Sequence, residues 1–274
     1  MTADSSGSTV PRVTPLIDTT IPHSARIWNY WLGGTDNYEV DRMAGDQFLR
    51  SFPDIAVIAR ATRAFMERAI RYLAAQAGVR QFLDIGTGLP TAGSTHEVAQ
   101  RMAPQSRIVY VDNDPSVLTQ AETLLHSTPE GATAYIDADM RDPSRIMRSA
   151  AQTLDFRRPI AVLFMGVLGH VTDDAEAASI VRRVLDEVPS GSYLVLSDGT
   201  NVVHGEQAEA AQQEYNESGA EAYCLRSPYQ IARFFDGLEM VEPGLLSVTW
   251  WRPEASAAGL QPEVDALGGV GRKP

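Results

Sequence analysis

Three acidic residues lie at the ends of consecutive apolar runs that the sequence predicts to be β-strands. Asp84 lies near the end of the first run, two residues before Gly86. Asp112 ends the second run, and Asp139 follows the third. Because the carboxyl ends of parallel strands meet at one edge of a sheet, these carboxyl groups are expected to lie side by side. Carboxylates there can accept hydrogen bonds from ribose hydroxyls and an adenine amino group, and they attract cations. The sequence therefore predicts a site for a positively charged adenosine derivative.

A glycine turn follows the first strand, and its details favour S-adenosyl-L-methionine over a dinucleotide. Gly86 and Gly88 can adopt positive φ and leave backbone amides open to a ligand. A dinucleotide turn has a third glycine where Thr91 stands, and Asp84 would repel a pyrophosphate. S-adenosyl-L-methionine has a sulfonium and an ammonium group and no phosphate. A dinucleotide-binding oxidoreductase remains a more distant alternative, and an ordinary strand-to-helix turn also stays open at this point.

The same edge of the sheet supplies further groups that can contact the cofactor. Asp112 is expected to hold both ribose hydroxyls, since charge-assisted hydrogen bonds are strong. Asp139 is expected to accept from the adenine amino group, while the backbone amide of Met140 addresses a ring nitrogen. The other predicted contacts lie in the turns after the first, second and fourth strands and are Thr87, Asn113, Met165 and Gly166.

Apolar runs alternate with helical patterns from the first strand onward. The expected parallel strands are residues 82–85, 107–112, 132–136, 159–165 and 191–198. This alternation implies right-handed crossovers and a three-layer, Rossmann-like α/β sheet. Residues 238–241 and 247–251, separated by Pro243 and Gly244, are expected to form an antiparallel hairpin at one edge. The predicted sheet thus has seven strands, mostly parallel, with the last strand antiparallel.

Extra helices are predicted before the sheet. Residues 53–75 have apolar side chains at helical spacing on one face, which indicates a long scaffold helix. An earlier, aromatic helix has an apolar face that is expected to pack on the core and consists of Ile27, Trp28, Trp31 and Leu32. Its opposite, polar face either lies at the surface or folds over the nucleoside site as a lid.

Five segments spread over residues 21–253 together resemble one known family. They are residues 25–38, 82–89, 109–115, 191–197 and 237–244. The family is the actinobacterial, Streptomyces-type S-adenosyl methyltransferase family, formerly a domain of unknown function, within the class I methyltransferase superfamily. The resemblance implies S-adenosyl-L-methionine as methyl donor and S-adenosyl-L-homocysteine as product. It also favours the lid, whose candidate cofactor contacts are Arg26, Asn29, Tyr30, Gly33 and Asn37.

The acceptor side is less well defined by the sequence. His170 and Asp198 follow the fourth strand and end the fifth, and either could act as a general base for a hydroxyl acceptor. The chain departs from the family pattern here, with Thr35 where lysine is usual and no histidine at Gly169 or Asp198.

Charge favours a small-molecule acceptor. The net charge is −12, and no basic face is visible that would neutralise phosphates, so nucleic acid is not expected as a partner. The Asn-Pro motif of base methylation is missing at residues 165–168. We expect transfer to an oxygen or nitrogen of a molecule similar to a secondary metabolite. The alternative is a sensor or scaffold that binds S-adenosyl-L-methionine or its product without turnover.

The 274 residues are enough for one enzyme-sized domain. The expected organisation is a disordered tail over residues 1–20, a single domain over 21–253, and a flexible tail over 254–274. Within the domain, residues 21–78 form the helical part and residues 79–253 the Rossmann-like core.

The sequence predicts no metal site, no disulfide and no membrane segment. Cys224 is the only cysteine, and the five histidines lack zinc-binding spacing, so no metal is predicted. No leader and no apolar run of about 20 residues is visible. A cytoplasmic monomer or homodimer without membrane partners is expected.

Overall fold

The computed structural model describes residues 17–91, 93–124, 126–254 and 261–274. In these ranges the strands are β1 (Gln81–Ile85), β2 (Arg107–Asp112), β3 (Ala132–Asp137), β4 (Ala161–Met165), β5 (Tyr193–Gly199), β6 (Glu239–Met240), β7 (Leu246–Ser247) and β8 (Ala266–Arg272). The α-helices are α1 (Ser24–Trp31), α2 (Glu39–Ser51), α3 (Ile55–Ala75), α4 (Thr95–Met102), α5 (Pro115–Leu124), α6 (Pro143–Ala150), α7 (Asp174–Glu187), α8 (Glu206–Asn216) and α9 (Pro228–Ala232). Short 3-10 helices cover Leu168–His170 and Arg233–Phe235. No helix of the described ranges is long and apolar enough to cross a membrane.

The strands form one mixed sheet in the order β3-β2-β1-β4-β5-β8-β6, and β7 also pairs with β8. The first five strands are parallel, and β8 runs antiparallel to β5. The chain moves from β1 outward to β3 and then returns to β4 on the other side of β1. Open α/β sheets bind ligands at such a reversal, outside the carboxyl ends of the strands. The predicted Rossmann-like α/β fold is confirmed.

Helices cover both faces of the sheet, because the buried strands alternate their apolar side chains between the two faces. In β1, Phe82 belongs to the core that contains the apolar side of α3, while Leu83 belongs to the core that contains α7. Both side chains are fully buried. This double burial explains why the central strands read as unbroken apolar runs in the sequence.

The C-terminal segment differs from its prediction as a flexible tail. Residues 266–272 form β8, which lies between β5 and β6 and is buried up to Gly271. Its glycines permit close packing: a Cβ atom at Gly268 would lie 2.8 Å from the Phe65 ring. The prediction was wrong because a glycine-rich run has low β-propensity and resembles a linker. Residues 255–260 of the predicted tail, like residues 1–16 of the N-terminal one, lie outside the described ranges.

The predicted edge hairpin is also wrong. β6 and β7 are each two residues long, and they pair with β8 rather than with each other. The sheet therefore has eight strands in the described ranges, because β8 supplies the partner that each short strand needs.

The N-terminal helices are held together by buried charge. The Arg26 guanidinium on α1 lies 2.8 Å from the Asp41 carboxylate on α2, and both side chains are buried. The same carboxylate accepts hydrogen bonds from the backbone amides of His23 and Tyr38. A buried pair of this kind is costly to break, because the remaining charge would have no partner. It fixes α1 against α2.

Candidate cofactor and acceptor site

A cavity of about 220 Å³ lies at the carboxyl ends of β1, β2, β3, β4 and β5. It has roughly fifteen times the space that a single water needs, so a larger molecule fits. Eleven predicted cofactor residues line it, namely Asn29, Asp84, Gly86, Thr87, Gly88, Asp112, Asn113, Asp139, Met140, Met165 and Gly166. The catalytic candidates His170 and Asp198 line the same cavity.

The turn after β1 is fixed against the neighbouring strands. Gly86 and Gly88 have φ of 72° and 64°, which side chains rarely adopt. A Cβ atom at Gly86 would collide with the Val167 side chain. The amides of Gly86 and Thr87 donate to the carbonyl of Val111 at 2.8 and 3.2 Å. Only glycine lets this turn approach β2 and β4 so closely, and this closeness shapes the floor of the cavity.

Asp84 is a buried acid in the wall of the cavity. Its side chain is 4% exposed and accepts a hydrogen bond of 2.6 Å from the Thr95 hydroxyl. Burial raises the pKa of its carboxyl to about 6, although the Thr95 hydroxyl and the Arg63 charge oppose the shift. A cation bound nearby would favour the ionised form.

Asp112 ends β2, and its carboxylate can bind both the neighbouring backbone and a ligand. Its Oδ2 accepts from the Gly88 amide at 2.8 Å, and its Oδ1 accepts from the Asp114 amide at 3.0 Å. Burial raises the pKa of its carboxyl. A carboxylate has about four acceptor sites, so two remain for the hydroxyls of a ribose. The turn and this acid therefore fit the adenosyl group of the predicted cofactor.

Asp139 and Met140 lie at the end of the cavity beside β3. The Asp139 carboxylate accepts from the Arg141 amide at 2.8 Å and lies 3.6 Å from the Arg141 guanidinium. On the other side of β1, Gly166 has a φ of 70°, and its amide donates to the carbonyl of Ser197 at 2.9 Å. The cavity thus spans the ends of all five parallel strands.

Of the five predicted lid contacts only Asn29 lines the cavity, although Trp28 and Trp31, on the face expected to pack on the core, line it as well. Asn29 is 2% exposed, and its Oδ1 accepts from the amide of Asp36 and from the side chain of Asn37. The other lid candidates do not line the cavity: Tyr30 donates to Asp46 at 2.6 Å, and Arg26 is bound to Asp41. Gly33 and Asn37 likewise lie outside the lining. Arg26 and Asn37 hold the segment in place, and Asn29 faces the cavity.

His170 is held in one tautomer. Its Nδ1 lies 3.0 Å from the carbonyl oxygen of Ala222, and only an N–H can donate to that oxygen. The ring packs edge-on against Tyr223, with centroids 5.1 Å apart. Nε2 makes no hydrogen bond to any described residue. It therefore has a free lone pair that can accept a proton.

Asp198 is fully engaged by other side chains. Its Oδ2 accepts from the Arg226 guanidinium at 2.9 Å, and its Oδ1 accepts from the Tyr223 hydroxyl at 2.6 Å and from the Gly199 amide. It is 1% exposed, and this burial raises the pKa of its carboxyl against the opposing charge of Arg226. With both oxygens occupied, Asp198 positions Tyr223 and Arg226 and is a poor candidate for a base.

Several residues of the cavity region carry no motif in the sequence. Tyr223 and Arg226 lie 25 and 28 residues after Asp198 and meet it only in the folded chain. Tyr215 and Glu221 line the cavity from α8 and the segment that follows it. The described residues contain no group of three or more histidine, cysteine, aspartate or glutamate side chains that could hold a metal ion.

Comparisons with known proteins agree with this geometry. A family model described as S-adenosyl methyltransferase matches residues 12–274. A solved DUF574 family protein from Streptomyces avermitilis MA-4680 is 47% identical, with a TM-score of 0.90 over 94% of this chain and 100% of that chain. A solved structure from Thermobifida fusca YX is 34% identical, with a TM-score of 0.86 over 93% and 96%. An O-methyltransferase family protein from Burkholderia thailandensis, 16% identical with a TM-score of 0.53 over 85% and 62%, shares the fold.

No curated protein matches the chain. The family model nevertheless covers nearly all of it, including β8. The protein belongs to the S-adenosyl methyltransferase family, and its methyl donor is S-adenosyl-L-methionine.

Proposed function

We propose that this methyltransferase acts on an oxygen or nitrogen atom of a small molecule. The observation that carries the proposal is the continuity of the cavity. One cavity is lined by the acids at β1 and β2, by His170, and by side chains of α1, α2 and α8. A concave cavity of this kind suits a small molecule better than a polymer.

The adenosyl group is proposed to bind at the strand ends. Asp112 accepts from the ribose hydroxyls, Asp139 accepts from the adenine amino group, and the amide of Met140 donates to the ring. The backbone of the turn at Gly86 and Gly88 approaches the cofactor closely because no side chains intervene. The amides themselves are engaged within the protein, that of Gly86 by the carbonyl of Val111 and that of Gly88 by Asp112. Asp84 contributes negative charge for a cationic ligand.

Catalysis is proposed to depend mainly on alignment and exclusion of water. When bound, S-adenosyl-L-methionine supplies an electrophilic methyl group. The helices over the cavity hold the acceptor near that group and limit the access of solvent. For a hydroxyl acceptor, Nε2 of His170 takes up the proton that the oxygen loses, and the carbonyl of Ala222 keeps the ring oriented for this role.

The proposal is tested by supplying the protein with S-adenosyl-L-methionine and a metabolite extract of its source. Mass spectrometry is expected to find a metabolite that gains one methyl group. Asp112→Asn is expected to weaken cofactor affinity at least tenfold, since hydrogen bonds to charged groups contribute about 1.5 to 3 kcal/mol. Asp137→Asn is the matched control, because Asp137 is exposed at the neighbouring strand end and outside the cavity. Tight cofactor binding without any methylated product would favour the sensor alternative.

A further inference from the structure

The acceptor end of the cavity is built mainly from aromatic rings. We call it the acceptor pocket and define it by Trp28, Trp31, Phe48, Phe52, Tyr215 and Leu225, which all line the cavity. The rings of Trp31 and Phe48 have centroids 5.2 Å apart, and those of Phe48 and Tyr215 are 5.7 Å apart and nearly perpendicular. Aromatic walls favour flat apolar ligands, which can stack or meet the rings edge-on.

The hydroxyl of Tyr215 is a polar group on the wall of this pocket that a ligand can reach. Tyr215 is 8% exposed, and its hydroxyl makes no hydrogen bond to any described residue. By contrast, the hydroxyls of Tyr30 and Tyr223 both donate to carboxylates. This hydroxyl is not one of the fully buried unpaired side-chain atoms of the described residues, so it is open to the cavity and can bond there to water or to a ligand. The side chain therefore points to a ligand with a hydrogen-bonding group.

Charge around the pocket disfavours an anionic acceptor. Glu221 lines the cavity, lies 3.9 Å from His170, and is close enough to Tyr215 to raise the pKa of its hydroxyl, which burial already raises. Arg141 at the rim is within ion-pair distance of Asp139 and of Glu176. A carboxylate or phosphate entering the pocket would meet the negative charge of Glu221, whereas Arg141 already lies beside two carboxylates.

We infer that the acceptor is an uncharged aromatic molecule with a hydroxyl group, and that Tyr215 positions it by a hydrogen bond. This inference rests on the proposed function and specifies its substrate class. The acceptor oxygen forms a bond to the methyl carbon as the bond from that carbon to sulfur breaks, and the sulfur keeps the electron pair. The hydroxyl proton passes to Nε2 of His170.

The test uses a matched series of naphthalene probes and the full chain loaded with S-adenosyl-L-homocysteine. Calorimetry measures the binding of 2-naphthol, naphthalene and 2-naphthoate. We expect 2-naphthol to bind, and 2-naphthoate to bind at least tenfold more weakly. Tyr215→Phe is expected to weaken 2-naphthol about fivefold, the value of one neutral hydrogen bond, and to leave naphthalene unchanged. Tyr229→Phe is the control, because Tyr229 is 74% exposed on α9.

Clear outcomes would overturn the inference. These are equal or tighter binding of 2-naphthoate, equal losses for naphthalene and 2-naphthol in Tyr215→Phe, no loss for 2-naphthol, or no binding of any probe. Unchanged affinity for S-adenosyl-L-homocysteine shows that the variant is folded. Because the probes need no turnover, a methylated metabolite found in the extract would uphold the proposed function even if the aromatic class were wrong.

Discussion

At the scale of single residues, burial places the ionisation of Asp84 near physiological pH. Its carboxyl has a pKa of about 6, mainly because of desolvation. Asp84 is neutral below that pH and negative above it, and a bound cation stabilises the negative form. We therefore expect S-adenosyl-L-methionine to bind more tightly as the pH rises from 5 to 7. A bound cation that lowers the pKa by one unit would give about a fivefold gain over this range and about a tenfold gain over the whole titration.

The control for this pH profile is Asp84→Asn, measured by calorimetry. The asparagine carbonyl can still accept from the Thr95 hydroxyl, so the local geometry is expected to persist. Burial also raises the pKa of Asp112, and its titration acts in the same direction. The cofactor affinity of Asp84→Asn should therefore still rise with pH, but less steeply than that of the unchanged protein. If the affinity of the two proteins depended on pH in the same way, the charge of Asp84 would not contribute to cofactor binding.

His170 supports a second prediction at this scale. In His170→Gln the amide can still donate to the carbonyl of Ala222, but the side chain cannot accept a proton. We expect the turnover rate with a hydroxyl acceptor to fall about a hundredfold or more, and the affinity for S-adenosyl-L-homocysteine to stay unchanged. His126→Gln is the control, because His126 is exposed and away from the cavity. An unchanged turnover rate in His170→Gln would show that alignment of the acceptor is sufficient without a general base.

At the scale of elements, the loop after α1 is packed directly against Asn29. A Cβ atom at Gly34 would collide with the Asn29 amide, whereas nothing lies within 4 Å of a Cβ atom at Gly33. Gly34→Ala is therefore expected to displace Asn29 and to weaken cofactor binding severalfold. Gly33→Asn is the control: its φ of 83° is positive, and asparagine tolerates this conformation better than most residues.

Cofactor affinity of the two glycine variants is best measured beside their thermal stability. If Gly34→Ala and Gly33→Asn lost the same affinity, the contact of residue 34 with Asn29 would not explain the loss. A loss confined to Gly34→Ala would show that the N-terminal segment acts on the site through Asn29.

The elements that the sequence predicts best are those with a strong local pattern. β2 matches its predicted bounds, and β1, β3, β4 and β5 differ by two residues or fewer, since unbroken apolar runs leave little choice. Once these strands were predicted, the acids at their ends could be placed together, because parallel strands end at one edge of the sheet. β8 was missed, since Gly268, Gly269 and Gly271 give it no local strand signal. Tyr215 was missed because no local motif distinguishes it from the other residues of α8.

At the scale of the whole molecule, the C-terminal strand connects the sheet to the acceptor end of the site. Ala266 at the start of β8 and the preceding Asp265 both line the cavity. The Asp265 carboxylate accepts from the amide of Val203 at 2.7 Å and lies 2.6 Å from Nδ1 of His204. Nε2 of His204 in turn lies 3.1 Å from the Asp54 carboxylate, just before α3. The last part of the chain thus fixes both the segment that leads into α8 and the N-terminal helices.

This arrangement predicts that deletion of residues 266–274 abolishes folding. Leu267 and Val270 are buried, and each contributes about 1.5 to 3 kcal/mol by burial alone. In addition, β5 loses one of its two neighbouring strands, and β6 and β7 lose β8, with which both pair. These losses are comparable to the whole stability of about 5 to 15 kcal/mol that typical domains possess. Circular dichroism is expected to show no cooperative thermal transition, whereas deletion of the exposed Pro274 alone should leave the transition unchanged. A truncated protein that melts cooperatively near the full-length temperature would mean that β8 is dispensable, as the sequence first indicated.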